Sequence, residues 1–99
     1  MAEREFLALS QEMTISREDF LRVLPAAVDQ AHLRVDGDEI RPVDGESRWR
    51  IALSALDDLR VGAIRLPRQR VEIFLAGDDA EERGRFLARF EPYFRRAGG

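Results

Sequence analysis

The chain has 99 residues, 44% hydrophobic and 35% charged, with a net charge of −3. That length and balance fit one folded domain spanning 1–99. Cysteine is absent and His32 is the single histidine, which excludes disulfides, thiol chemistry and histidine or thiolate metal clusters. All 16 basic residues are arginine; there is no lysine and no asparagine, a bias expected of a GC-rich bacterial genome. Without lysine there is no Schiff base, no P-loop lysine and no lysine general base.

In chain order, residues 4–15 alternate as a strand, with Leu7, Leu9, Met13 and Ile15 on one side. Helical spacing of Phe6, Leu9 and Met13 is the alternative. Ser16-Arg17-Glu18-Asp19 is a helix start, because the serine hydroxyl can accept an orphan backbone N–H and the acids suit the helix dipole. A helix over about 17–30 follows, with Phe20, Leu21, Leu24, Ala27 and Val28 as its apolar stripe and Pro25 as a kink.

Two Val-Asp-Gly-acid segments, at 35–38 and 43–46, announce hairpin turns. Asp36-Gly37 is expected at the centre of the first. Three strands then form a meander over 31–56, with Pro42 at a strand end. Asp57-Asp58 is expected to turn. Val61–Leu66 is expected as a further strand, and 59–76 as two short strands or one strand bent at Leu66-Pro67.

Asp78 is expected to cap a last helix over about 78–96, with Glu81 completing a capping box. Leu87, Phe90 and Phe94 would pack on the sheet. Gly84 would mark a close approach of backbone to sheet, Pro92 a kink, and Gly98 the C′ residue. These elements make an α+β domain. Its curved antiparallel sheet of about four to six strands carries both helices on one face.

The clearest binding lead is a row of arginines. Alternation puts Trp49, Ile51 and Leu53 inward and Arg48 and Arg50 outward, and adds Arg34, Arg41 and Arg70 to the helix-free face. Guanidinium groups there could grip phosphate or carboxylate, or single-stranded nucleic acid, with Phe74 as the aromatic for stacking. The bland alternative is a solvated face of Arg–Glu pairs using Glu39, Glu46 and Glu72.

Two other leads concern chemistry. His32 lies near Asp29, Asp36 and Asp38, as a general base would, but no nucleophile accompanies it. The terminal Gly98-Gly99 resembles the tails of ubiquitin-like modifiers and sulfur carriers, which would imply carrier chemistry at a free glycine carboxylate. In that family the tail leaves a strand, whereas here it leaves a helix.

The expected function is therefore a non-catalytic binding or interaction domain. Its partner would be a protein, a second copy in a homodimer through the open sheet, or an anionic ligand on the arginine face. No cofactor is expected. No apolar run approaches the roughly 20 residues that span a bilayer and no basic, apolar leader begins the chain, so a cytoplasmic address and no membrane partner are expected.

Overall fold

The computed structural model describes residues 5–43, 48–77 and 79–95. The order is β1 (Glu5–Met13), α1 (Arg17–Ala27), β2 (Leu33–Asp36), β3 (Glu39–Pro42), β4 (Trp49–Val61), β5 (Ile64–Ala76) and α2 (Ala80–Phe94). The five strands form one antiparallel sheet ordered β1-β5-β4-β3-β2. The expected α+β fold, with its meander and two helices, is present.

One face of the sheet makes the core. Ile40, Ile51, Leu53, Val71 and Ile73 are all at most 1% exposed. They alternate along their strands and meet Phe20 and Leu24 of α1 and Phe90 and Phe94 of α2 in the same cluster, so both helices cover this one face. Phe20 stacks on Phe94 with ring centroids 4.7 Å apart, and Phe90 lies 4.7 Å from Phe94. These aromatic contacts tie the two helices together.

Local chemistry explains the helix ends. Ser16 caps α1 by accepting from the Asp19 N–H. The cap of α2 falls one residue later than expected: Asp79 accepts from the N–H groups of Glu81 and Glu82. Asp78, Arg96 and the Gly98-Gly99 tail lie outside the described residues. Each helix continues through its proline, Pro25 in the last turn of α1 and Pro92 in that of α2. So near the end, one missing N–H and the burial of Phe94 or Ala27 leave the helix intact.

Four expectations are corrected. Gly84 approaches nothing: a Cβ there would meet no atom within 4 Å, and the residue is exposed. Phe86, which the stripe omitted, packs against the core instead, 5.9 Å from Trp49. The first hairpin turns on Gly37-Asp38, with Gly37 at φ +62°, because Asp36 already pairs with Glu39. A glycine at the first central position suits a II′ turn. The second Val-Asp-Gly segment lies largely outside the described residues. In β1 a register shift between Leu7 and Leu9 puts Leu7 on the helix-free face while Leu9 and Met13 remain on the core face.

The largest correction concerns 55–68. Asp57-Asp58 does not turn; it forms a bulge inside β4. Leu56 pairs with Arg68 and Leu59 with Leu66, so two aspartates oppose Pro67 alone. Pro67 has no N–H, but the bond from the Ala76 N–H to the Arg48 carbonyl sets the even residues of β5 toward β4, so Pro67 faces the outer edge and this ladder loses no bond. The turn comes at Gly62-Ala63, with Gly62 at φ +62° and Val61 paired with Ile64. Val61–Leu66 is thus a hairpin tip, not a strand, and β5 runs unbroken through Pro67.

Candidate interaction surface

The helix-free face is built by the residues that alternate with the core. From β2 to β1 it presents Arg34 and Asp36, Glu39 and Arg41, then Arg50, then Arg68, Arg70 and Glu72, then Glu5 and Glu12. Four of the five arginines expected there do share it: Arg34, Arg41, Arg50 and Arg70. Arg48 precedes β4, and its carbonyl accepts from the Ala76 N–H at 3.0 Å. It lines a separate crevice of about 130 Å³ with Val28, Trp49, Leu75 and Phe86. Ligand pockets usually run to roughly 300–1,000 Å³, so that crevice is small for one.

This charged end is neutralised from within. Arg50 donates to Glu5 at 2.7 and 3.2 Å and pairs with Glu39 at 3.1 Å. Its guanidinium also lies 3.9 Å from the Phe74 ring centre. The hydrogen bond to Glu5, ahead of the two carboxylate charges, raises the Arg50 pKa above its ordinary value. Arg41 pairs with Glu39 at 3.0 Å, and Arg68 and Arg70 each approach Glu12 at 3.8 Å. Counted by face, five arginines stand against Asp36, Glu39, Glu72, Glu5 and Glu12. A depression of about 310 Å³ among Arg34, Asp36, Glu39 and Arg41 is balanced in the same way. Phe74, the aromatic that could have stacked a base, is half-buried beneath Arg50.

The face changes character toward the hairpin tip. Pairing of β1 with β5 stops at Met13–Gln69, and the β3–β4 register covers only Ile51 and Ala52. From Ala55 to Arg68, β4 and β5 have no third strand among the described residues. A 13-residue strand is roughly 43 Å long, so β4 and β5 span most of the molecule's 50 Å length against 24 and 21 Å across, and the arm is about half of that span. On the arm the cross-strand pairs Leu59–Leu66 and Val61–Ile64 put four aliphatic side chains on one face. Exposure rises toward the tip, at 38% for Leu59, 55% for Val61 and 61% for Ile64. Arg60 and Arg65, directly opposed, occupy the other face.

Comparison with protein-family models, curated proteins and solved structures finds no match.

Both edges of the arm are blunted. The bulge at Asp57-Asp58 interrupts the β4 edge and Pro67 the β5 edge, two devices that discourage strand addition. The face and tip of the arm are thus its open surfaces. His32 is exposed, and no group of three or more His, Asp or Glu side chains suited to a metal occurs among the described residues. No helix among them is long and apolar enough to cross a membrane. The sequence reading missed the arm because Gly62-Ala63 lacks the Asp of the other expected turns. The available signal was a 12-residue stretch, Leu59–Arg70, with four arginines and no acid.

Proposed function

We propose that this chain is a non-catalytic interaction domain whose working surface is the β4–β5 arm. One observation carries the reading. The Leu59–Leu66 and Val61–Ile64 pairs expose an apolar strip on a ribbon that no third strand supports. A lone hairpin is marginal in water, and an apolar strip continuing to its tip favours a partner that covers it. The rest of the sheet serves as the frame: the core face anchors the helices, and the paired charges at the far end hold β1, β3, β4 and β5 in register. The arginine row supports the frame more than it supports an anionic ligand, since such a ligand would have to displace Glu5 and Glu39 from Arg50.

The test is photocrosslinking in the producing cells. A photoreactive residue replaces Ala63 at the tip or, as control, Arg85 on the exposed side of α2. Adducts at 63 that are absent at 85 support the reading, whether the adduct is protein, lipid or a second copy. Equal labelling at both positions, or none at 63, overturns it.

A further inference from the structure

The tip of the arm names the chemistry of its occupant. Val61-Gly62-Ala63-Ile64 contains no polar side chain, although it is an exposed turn. The chain's other described hairpin turn, Gly37-Asp38, carries an aspartate, as water-facing turns commonly do. Just behind the tip, Arg60 and Arg65 are directly opposed across the ribbon. Like charges in that position cost stability. The similar pair Arg34–Arg41 has Glu39 at 3.0 Å from Arg41; Arg60 and Arg65 have no ion pair among the described residues. Leu59–Arg70 carries +4, while the other 87 residues hold 12 arginines against 19 acids, a net of −7. The occupant must therefore be apolar where the tip enters and anionic about two residues back, roughly 7 Å along the strand.

We infer that the arm docks on the surface of an anionic lipid bilayer. Val61 and Ile64 enter the boundary between headgroups and acyl chains, and Arg60 and Arg65 bind lipid phosphates. An interfacial element buries its apolar side about 5–10 Å deep, which matches that spacing. Arginine stems lie along apolar surface while their charged heads reach the phosphates. Behind them Asp57-Asp58 oppose Pro67, and Arg68 and Arg70 share Glu12, so the base of the arm adds little net charge. The acidic body stands beyond them, where its repulsion is screened over about 8 Å of physiological salt. The absence of a spanning segment concerns crossing a bilayer, and this contact does not cross it. A nucleic-acid groove takes an apolar residue only as a wedge between unstacked base steps, which leaves most of the four-residue aliphatic strip uncovered.

This inference rests on the arm being the docking surface. The experiment is cosedimentation of the full chain with vesicles of phosphatidylcholine and phosphatidylserine at about 70:30, and with phosphatidylcholine alone. Binding is expected to the anionic vesicles, to weaken as salt rises, and to fall about tenfold or more without phosphatidylserine. Ile64→Asp is expected to abolish it. Arg65→Glu converts the opposed arginines to an Arg–Glu pair, so that variant melts at or above the wild-type temperature yet binds at least about tenfold more weakly. Arg85→Gln binds as wild type. No binding, equal binding to both vesicles, or full binding by Ile64→Asp or Arg65→Glu overturns the inference. If vesicles fail while position 63 still crosslinks selectively to a protein or a second copy, the arm remains the docking surface and only the lipid occupant is lost.

Discussion

Arg50→Ala measures whether the charged end of the helix-free face is frame or ligand site. The Arg50 side chain is 20% exposed, and its carboxylate partners are 36% and 37% exposed. At that exposure each ion pair stabilises by about 0.5–1 kcal/mol after screening. The Phe74 contact adds about 0.5–1 kcal/mol. The substitution should therefore cost about 2 kcal/mol, lowering Tm by roughly 8–16 °C in a domain of this size. Urea denaturation of wild type, Arg50→Ala, Glu5→Gln and the double variant closes a cycle, with an expected coupling of about 0.5–1 kcal/mol. A loss under about 0.3 kcal/mol with no coupling would refute the reasoning. Arg50 would then be an idle cation, open to an anionic ligand after all.

Four further outcomes follow from the same structure. The Arg50 pKa is raised by its partners, so its contribution is present below the ordinary arginine value and is lost only above the raised one; the destabilisation by Arg50→Ala should be equal at about pH 7 and pH 10, by urea melts at both. Gly84→Ala should stabilise by up to about 1 kcal/mol, because the site is open and helical. Gly62→Ala should destabilise by about 1–2 kcal/mol despite equal space, because its φ is +62°; paired thermal melts check both signs. Phe20→Ala, at 0% exposure, should cost about 3–5 kcal/mol and release both helices together, seen as one cooperative transition at much lower temperature by circular dichroism.

The fold was legible where one physical signal dominated. Ser16 and the acids after it marked α1, and the alternation of Trp49, Ile51 and Leu53 set the core face. Signals failed where the outcome depended on pairing across strands. Pro67 looked like a strand break, but its place on β5 faces the free edge, and local pattern cannot see which side of a strand is paired. The same blindness hid Glu5 and Glu12. They meet Arg50, Arg68 and Arg70 only because β1 pairs with β5, far along the chain. Gly84 failed differently: a helix glycine suggested a packing reason where the structure has open space. The stretch Leu59–Arg70 stood out in composition, as four arginines without an acid, but only its pairing put the aliphatic side chains on one face and Arg60 opposite Arg65.

The most direct measurement uses the absence of cysteine. Ala63→Cys or Arg85→Cys gives a single thiol for an environment-sensitive dye on an otherwise unchanged chain. On adding phosphatidylserine-containing vesicles, the dye at 63 should shift to shorter wavelength and become shielded from aqueous quencher, while the dye at 85 stays unchanged. A shift at 85 equal to or larger than that at 63 would contradict the account, since it would place the contact away from the arm.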